Sequence, residues 1–458
     1  MFRNTGHIHL VAIGGVGMSG IAEVLLNLGF TVSGSDLAVT AVTSRLVQLG
    51  ATVHAGHAPQ YVEGADVVVR SSAVTEANAE VTEARRRGIP VIRRAEMLAE
   101  LMRLKQGIAV AGSHGKTSTT SLVADALAAG DLDPTVIVGG RILAVGTGAK
   151  LGAGEYLVAE ADESDGTFLH LTPTVAVVTN IDLEHVDFYP DLETLRDAFI
   201  TFLQRVPFYG ACVLCADDPE VRALIPRLDR KVVTYGLGDG ADVRGEPVPD
   251  PEAGLAARIW FAGEELGILR LQLRGRHNLQ NALAAVAVGL ELGVPFADLA
   301  GGLAASSGVS RRLEEHGEHG GVLVIDDYGH HPTEIRATLE VARTWERPLV
   351  VLFQPHRYSR TAHFCAEFAD ALAAADVVGL LPVYAAGESQ ADGADSEAIA
   401  AELATKAGTV VDLLPDFKAL PRWLDRRTAP GSLLMTMGAG DIGREVAAVC
   451  RHLDNTQP

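Results

Sequence analysis

The stretch GIAVAGSHGKTSTTSLVADAL, residues 107–127, decides how the middle of the chain folds. An apolar run leads into Gly112-x-x-Gly115-Lys116-Thr117 and an amphipathic segment follows, which predicts a strand, a glycine turn and a helix. Backbone N–H groups of such a turn point at phosphate oxygens, while Lys116 reaches the terminal phosphates and the Thr117 hydroxyl can bind Mg²⁺. The alternative is a helix-start turn with a coincidental lysine. The complete strand–turn–helix context favours a phosphate loop.

Acidic and imidazole side chains follow two other predicted strands. Glu160 ends the run YLVAE, and His185 lies just beyond VAVVTN. Because parallel strands present their carboxyl ends at one edge, we expect both residues beside the phosphate loop, as ligands of Mg²⁺ and of a second, looser metal site. A histidine after a strand is usually an ordinary loop residue. For Asp162, Glu163 and Asp165 a ligand role and a solvated turn both remain open.

A second glycine pattern lies near the start of the chain. A predicted strand over residues 9–13 runs into Gly15-x-Gly17-x-x-Gly20, and the next strand ends at Asp36, which is placed to bind a ribose hydroxyl. This fingerprint predicts a bound nucleotide diphosphate and, taken alone, favours NAD. A nicotinamide oxidoreductase is therefore one alternative function. A non-catalytic nucleotide sensor is another, although the catalytic positions of the phosphate loop are occupied by suitable residues.

Composition narrows the class of protein. A length of 458 residues predicts about three domains, and 48% hydrophobic with 21% charged residues is typical of a soluble globular protein. The sequence has no apolar run of roughly 18 residues, no secretory signal pattern and only four cysteines, so we expect a cytoplasmic protein without membrane insertion. The net charge of -20 argues against a nucleic-acid surface. Cys212 and Cys215 could form half of a zinc site, but without a second pair we expect structural cysteines.

Alternating strands and helices predict an α/β fold with three domains. Near-continuous apolar strands indicate parallel sheets covered on both faces. We expect a Rossmann-like domain over residues 1–105, a central P-loop ATPase-like parallel-sheet domain over 106–309 and a second Rossmann-like domain over 310–458. Residues 238–254 are rich in Gly and Pro and predict a loop or hairpin. Residues 384–397 predict a polar loop after a strand end, where such folds bind ligands.

Seven motifs in chain order resemble those of the Mur ligases: GGVGMSGIAEVLLNLG, GSHGKTSTT, EADESD, TNIDLEHVDFY, RHNLQNALAA, DDYGHHPTEIRATL and FQPHRYSRT. The resemblance covers nearly the whole chain. It implies an enzyme that uses ATP and Mg²⁺ to join an amino acid to the carboxylate of a UDP-sugar through an acyl phosphate. The last two motifs resemble the branch that adds L-alanine to UDP-N-acetylmuramate. The alternative is the recycling branch, which attaches a preformed tripeptide to the same sugar nucleotide.

The absence of lysine from residues 190–208 also fits the alanine-adding branch, since some sibling ligases carry a carbamylated lysine in that segment. We expect a monomer or weak homodimer.

The resemblance assigns roles in the first two domains. The first domain would hold the UDP part of the substrate through Gly15, Gly17, Ser19, Asp36, Ser71 and Ser72. ATP would be bound by Gly112, Ser113, His114, Gly115, Lys116, Thr117 and Ser118. The magnesium ligands would be Thr117, Glu160 and His185. Asn278 and Asn281 match positions that contact adenine, whereas the residues alone would predict helix-start caps.

In the third domain the resemblance implies that Arg312 approaches the phosphates and Asp327 the ATP ribose. His330 lies near the reaction centre and is our candidate for the base that deprotonates alanine. The incoming amino acid would be held by Tyr328, His356, Arg357 and Arg360. An arginine pair is ordinarily a surface charge couple, but at a strand end it can bind a carboxylate in a forked manner. We therefore expect Lys116, Arg312 and His330 to be the catalytic residues.

Overall fold

The computed structural model describes residues 5–71, 73–138, 149–184, 188–250, 254–389, 394–406 and 408–456. Ser72 and His185, both predicted site residues, lie outside the described part. The chain divides into two compact units, residues 1–309 and 310–458, and the first unit contains two of the three sheets. Every helix in the described ranges is too short or too polar to cross a bilayer. The predicted α/β class is confirmed.

The first sheet is entirely parallel. Its elements are β1 (His7–Val11), α1 (Val16–Asn27), β2 (Thr31–Asp36), α2 (Ala41–Gln48), β3 (Thr52–Ala55), β4 (Val67–Arg70), α3 (Ala79–Arg86), β5 (Val91–Arg93) and α4 (Arg94–Leu104). The strand order is β3-β2-β1-β4-β5, so β1 lies where the direction of winding reverses, the usual ligand position in such sheets. The prediction of a strand over 9–13 was wrong at both ends. The strand stops because Ala12 has a left-handed φ of 64°.

The second sheet has ten strands. Its elements are β6 (Gln106–Ala111), α5 (Lys116–Ala129), β7 (Thr135–Ile137), β8 (Ala149–Lys150), β9 (Tyr156–Glu160), β10 (Val175–Val178), α6 (Leu192–Leu203), β11 (Ala211–Cys215), α7 (Pro219–Leu224), β12 (Val232–Gly236), β13 (Val243–Val248), β14 (Leu255–Phe261), β15 (Glu264–Leu271), α8 (Arg276–Glu291) and α9 (Phe296–Ala304). The order is β15-β14-β13-β12-β11-β10-β6-β9-β7-β8. From β12 to β7 the strands are parallel. Of the two alternatives for residues 238–254, the hairpin is confirmed, since β13 pairs antiparallel with β14.

Helices cover both faces of this sheet, as the apolar strands predict. Ile108 and Val110 of β6 pack with α5 and α8, whereas Ala109 and Ala111 pack on the other face with α6. Successive side chains of a strand point to opposite faces, and burial on both faces explains the continuous apolar run.

The two cysteines of the C-x-x-C pattern lie on opposite faces of this sheet. Both are in β11, where Cys212 belongs to the α6 face and Cys215 to the α5 and α8 face. Burial raises the pKa of Cys212 to about 12 and that of Cys215 to about 11. Residues three apart on a strand cannot bind one ion together, and both cysteines are core residues, as predicted.

The third sheet forms the second unit. Its elements are β16 (Glu314–His319), β17 (Val322–Asp327), α10 (Pro332–Arg343), β18 (Leu349–Phe353), α11 (Tyr358–His363), α12 (Cys365–Leu372), β19 (Val377–Leu380), α13 (Ser396–Leu403), β20 (Val410–Leu413), α14 (Leu420–Arg427), β21 (Leu433–Met437) and α15 (Ile442–Thr456). The order is β16-β17-β21-β18-β19-β20, and all pairs are parallel except β16 with β17. Residues 384–389 form part of the predicted polar loop, which ends where α13 begins at Ser396.

Candidate functional site

The phosphate loop connects β6 to α5 and depends on two glycines. Gly112 has a φ of 129° and Gly115 a φ of 81°, in the left-handed region that other residues rarely adopt. A Cβ atom on Gly112 would lie 2.1 Å from Oγ1 of Thr179, and one on Gly115 would lie 2.8 Å from Oδ1 of Asn281. Gly115 is also the N-cap of α5, so no capping side chain competes with an anion there.

The segment that follows β10, residues 179–184, holds the phosphate loop in shape, and we call it the clamp segment. The backbone N–H of His114 donates to Oδ1 of Asn180 at 2.8 Å, and Nδ2 of Asn180 donates to the carbonyl of His114 at 3.1 Å. Oγ of Ser113 donates to the carbonyl of Asp182 at 3.0 Å and accepts from its N–H at 2.8 Å. The loop conformation is therefore fixed by protein groups alone.

Lys116 lies inside the loop with all three ammonium protons engaged. Its Nζ atom lies 2.5 Å from the carbonyl oxygen of Gly112, 3.0 Å from that of Ser113 and 2.9 Å from Oε1 of Glu163. Burial lowers the pKa of Lys116, but nearby carboxylates, chiefly Glu163, outweigh it and raise the pKa to about 12. Burial also raises the pKa of Glu163 to about 7, against the opposing effect of Lys116.

The residues after β9 divide into a buried acid and an ordinary turn. Glu163 is 1% exposed, so the solvated-turn interpretation was wrong for this residue. Asp165 lies in a turn and is partly exposed, and its Oδ1 accepts from the N–H of Thr167 at 3.0 Å. Oδ2 of Asp162 lies 3.8 Å from Nη2 of Arg94. The sequence pattern did not separate these acids because burial here is set by neighbouring strands.

The predicted metal ligands are only partly located. Glu160 is the last residue of β9 and is paired in register with Val110 of β6, one strand away from the phosphate loop. Thr117 lies in the first turn of α5. These two residues offer hard oxygen ligands at the same sheet edge, which suits Mg²⁺. The third predicted ligand, His185, is outside the described residues.

Asn278 and Asn281 lie on the first turns of α8, but neither caps that helix. The N-cap is Gly275, so the helix-cap interpretation was wrong. Nδ2 of Asn278 donates to the carbonyl of Arg274 at 2.8 Å, and Nδ2 of Asn281 lies 3.4 Å from Oδ1 of Asn278. Because Asn281 also packs against Gly115, this pair borders the phosphate loop.

The turn after β1 is organised by Asp36. Oδ2 of Asp36 accepts a hydrogen bond from the N–H of Gly14 at 2.9 Å, and Oδ1 accepts one from Ala38 at 3.3 Å. None of Gly15, Gly17 and Gly20 has a positive φ. The predicted ribose ligand therefore also ties the glycine turn to the end of β2.

The glycine at position 17 lies next to a cationic side chain. A Cβ atom there would lie 2.8 Å from Nη1 of Arg94, a cation that sequence analysis missed because it comes from α4. Ser19 is buried in α1. Ser71 follows β4, whose Arg70 pairs with Val11 of β1, so the serine and the glycine turn share one sheet edge.

In the second unit four rings stand in a row, which we call the ring row: Tyr328, His330, His356 and Tyr384. Successive centroids are 5.3, 5.7 and 5.5 Å apart, and the last pair is stacked at 13°. Nη1 of Arg360 lies 3.4 Å from Nδ1 of His356. Burial, with the nearby His330 and arginines, lowers the pKa of His356 to about 3. Tyr384 begins the loop of residues 384–397, which was predicted to lie where ligands bind, but it was not itself predicted as a site residue.

His330 is held in one orientation. Its Nδ1 atom lies 3.1 Å from the carbonyl oxygen of Tyr328 and 3.3 Å from Oε2 of Glu334. Both partners accept, which assigns the proton to Nδ1 and the basic lone pair to Nε2. Glu334, also missed by sequence analysis, lies 3.2 Å from Nη1 of Arg312. Burial lowers the pKa of Arg312, but Glu334 and Asp327 outweigh it and the net pKa is raised.

Asp327 is held by backbone N–H groups, and the Arg357 side chain lies near a carboxylate. Asp327 accepts from the N–H groups of Leu313 at 2.9 Å and Gly329 at 2.7 Å, and burial raises its pKa to about 6. Arg357 has a φ of 70°, and its Nη1 atom lies 3.8 Å from Oε1 of Glu388. Both members of the predicted arginine pair border the ring row, Arg360 through His356 and Arg357 through its backbone N–H, which donates to the carbonyl of Tyr384 at 2.8 Å.

Three family descriptions match the chain in order: "Mur ligase family, catalytic domain" over residues 7–106, "Mur ligase middle domain" over 110–289 and "Mur ligase, glutamate ligase domain" over 311–440. The sheets and the phosphate loop thus agree with a class of nucleotide-dependent ligases. The chain belongs to the Mur ligase family, whose members are ATP-dependent amide ligases. The resemblance seen in the sequence is confirmed.

Individual relatives are similar over nearly the full length. A protein of Desulfatibacillum aliphaticivorans named UDP-N-acetylmuramate–L-alanine ligase is 51% identical over 448 residues, 97% of this chain and 98% of the relative. One of the same name from Anaeromyxobacter sp. strain Fw109-5 is 53% identical over 444 residues, 96% and 97% of the two chains. The crystal structure of the UDP-N-acetylmuramate–alanine ligase of Thermotoga maritima matches with a TM-score of 0.82 at 29% identity, covering 98% of this chain and 99% of that one.

Proposed function

We propose that this protein is an ATP-dependent ligase that joins L-alanine to the carboxylate of UDP-N-acetylmuramate, a step in the synthesis of peptidoglycan precursors. The observation that carries the proposal is the identity of 51% and 53% to relatives of that name over nearly the whole chain. The phosphate loop with its partly buried lysine supplies the chemical basis.

The proposal divides the substrates among three domains, residues 1–105, 106–309 and 310–458. The first would hold the UDP part of the sugar nucleotide, with Gly17 allowing close approach and Arg94 beside it offering charge to the diphosphate. The second would bind ATP, and the third the amino acid. The UDP group in the first domain would then serve only to bind the substrate and would not react.

The residues of the loop suit ATP and Mg²⁺. Side chains at Gly112 and Gly115 would collide with Thr179 and Asn281 and distort the loop, and the backbone at the start of α5 favours an anion. Thr117 and Glu160 offer oxygen ligands for Mg²⁺, and His185 is proposed as a further ligand. When bound, Mg²⁺ would neutralise phosphate charge. Asn278 and Asn281, next to the loop, would contact adenine.

The first chemical step converts a poor electrophile into a good one. The muramyl carboxylate attacks the terminal phosphorus of ATP, ADP leaves, and an acyl phosphate forms. Two anions must meet in line for this to happen, and Lys116 with Arg312 would offset their repulsion while the loop fixes their alignment. Asp327 is proposed to bind the ATP ribose once nucleotide is present.

The second step forms the amide bond. Alanine enters as an ammonium ion and must lose a proton before its nitrogen can attack the acyl carbon. Nε2 of His330 would accept that proton, with Glu334 holding the ring, after which inorganic phosphate leaves. Tyr328, His356, Arg357 and Arg360 would bind alanine, and the neutral state of His356 leaves the arginines as the cations for its carboxylate.

The alternatives lose support for specific reasons. Relatives of the same length carry the name of the alanine-adding enzyme, which disfavours the tripeptide-recycling branch. A nicotinamide oxidoreductase would have no use for Lys116 in a phosphate loop. A cytoplasmic location is part of the proposal, since a nucleotide-sugar ligase needs cytoplasmic ATP. The prediction of a monomer or weak homodimer stays a prediction.

Phosphate release tests the proposal. We would supply UDP-N-acetylmuramate, MgATP and each of the twenty amino acids in turn, with the tripeptide as a further acceptor. The account predicts turnover with L-alanine and little with the tripeptide. Turnover with the tripeptide but not with L-alanine would move the protein to the recycling branch, and no acceptor-dependent release at all would refute ligase activity.

A further inference from the structure

The ammonium of Lys116 has no proton left for a nucleotide. A lysine side chain offers three donors, and here they reach the carbonyl oxygens of Gly112 and Ser113 and Oε1 of Glu163. If Lys116 is to contact a terminal phosphate, at least one of these bonds must be given up. The two carbonyls belong to the loop itself and are neutral, whereas Glu163 carries the only carboxylate among the three partners.

Glu163 is held in place independently of Lys116. The hydroxyl of Tyr189 donates to the carbonyl oxygen of Glu163 at 2.8 Å. One residue earlier in sequence, Phe188 covers Gly166, where a Cβ atom would lie 2.7 Å from the Phe188 ring. Residues 188–189 therefore hold the backbone of residues 163–166 in place. The Glu163 side chain extends from this backbone to Lys116.

Electrostatics decides which partner is exchanged. A phosphate oxygen and the Glu163 carboxylate would both bind the same ammonium group. These two anions would repel each other, and the repulsion is weakly screened because Glu163 is only 1% exposed. The loop carbonyls cause no such repulsion. We infer that Glu163 is an exchangeable counter-ion, a positioning residue that keeps Lys116 folded into the loop before nucleotide binds and yields it to the terminal phosphate of ATP.

This inference rests on the proposed function, because it takes ATP as the ligand of the loop. The new element is that ATP must compete with Glu163 for Lys116, because the ion pair between these residues exists before ATP binds. Glu163 thereby stabilises the loop without nucleotide and weakens the affinity for ATP. A purely structural glutamate, or one that binds Mg²⁺, would have the opposite effect on affinity.

The test is MgATP affinity, measured by calorimetry on the whole protein without the other substrates. Glu163→Gln is expected to bind MgATP about tenfold more tightly than the wild type, because one repelling charge is removed. The same variant should unfold at a lower temperature without nucleotide, since the buried ammonium loses its counter-ion. Asp165→Asn is the matched control, as it removes one charge from the same turn without contacting Lys116, and its affinity should stay within about twofold of the wild type.

Weaker or unchanged MgATP binding by Glu163→Gln would overturn the inference. If that variant does not fold, Glu163→Asp keeps the charge but withdraws it from Nζ, and it should bind about threefold more tightly than the wild type. Equal or weaker binding by that variant also counts against the exchange. A wild-type protein that binds no MgATP would refute the proposed function itself, so the two failures are distinguishable.

Discussion

At the scale of single residues, the orientation of His330 suits the role proposed for it, that of the base in the amide-forming step. With its proton on Nδ1, toward Tyr328 and Glu334, the ring presents Nε2 to an incoming ammonium. Glu334 is then a positioning residue, because it acts through the histidine and through Arg312. In the proposed mechanism the second chemical step needs a base and the first does not.

Replacing His330 by Ala should therefore slow amide formation and spare acyl phosphate formation. We expect kcat with L-alanine to fall about 10²-fold, the usual worth of a general base. Hydroxylamine is already a neutral nucleophile at neutral pH, so trapping of the acyl phosphate as hydroxamate should continue at nearly the wild-type rate. Equal losses in both assays would show that His330 is not the base.

The depressed pKa of His356 predicts a pH dependence of stability. Its pKa in the folded protein is about 3, whereas an unfolded histidine titrates near its ordinary value of about 6.5. Above pH 6.5 the residue is neutral in both states and has no effect. Between about pH 6.5 and pH 3 only the unfolded chain takes up the proton, so stability falls as the pH falls.

His356→Gln should thus flatten the loss of stability between about pH 6.5 and pH 4 in urea unfolding. His363→Gln, at an exposed position of α11, shows what removal of a surface imidazole does. An unchanged pH slope in His356→Gln would mean that the ring protonates freely in the folded protein.

At the scale of elements, parallel register brings distant segments to one edge. β6 lies between β10 and β9, so the phosphate loop, Glu160 and the clamp segment share an edge although they are spread over residues 112–184. The loop motif was predictable because its residues are contiguous. The contacts of Asn180, Glu163 and Tyr384 were not predictable, although Glu163 was one candidate ligand, because strand order, which the sequence pattern does not specify, decides what they touch.

Asn180→Ala tests the clamp segment. It removes both hydrogen bonds to the His114 backbone, and we expect the KM for ATP to rise about tenfold with a smaller change in kcat. Gln106→Ala, at the opposite end of β6, is the control and should leave the KM for ATP unchanged. If Asn180→Ala also leaves it unchanged, the loop does not need the clamp.

The packing of α6 against the central sheet gives a prediction about stability. Phe199 is fully buried, with its ring centroid 5.4 Å from that of Phe168. Phe199→Ala should lower the free energy of unfolding by about 3–5 kcal/mol. Phe208, at 92% exposure, is the matched control, and Phe208→Ala should change it by less than about 0.5 kcal/mol. Similar losses for both variants in chemical denaturation would contradict the assigned packing.

At the scale of the whole molecule, two glycine turns on two sheets have different chemistry. The front turn has no lysine of its own and is tied to Asp36, whereas the second carries Lys116 with its counter-ion. Near-continuous apolar strands that alternate with helices made both sheets predictable from the sequence. The NAD interpretation of the front turn loses support because the chain belongs to a family of amide ligases, and the fingerprint itself indicates a diphosphate without specifying a reaction.

Binding of the two nucleotides by two variants tests the central claim most directly. The change in Lys116→Ala removes the cation of the second turn, and Gly17→Val fills the front turn beside Arg94. By calorimetry, Lys116→Ala should lose MgATP and keep UDP-N-acetylmuramate, while Gly17→Val should lose the sugar nucleotide and keep MgATP. Loss of UDP-N-acetylmuramate in Lys116→Ala, or of MgATP in Gly17→Val, with the partner ligand still bound would show that the two sites have been assigned the wrong way round.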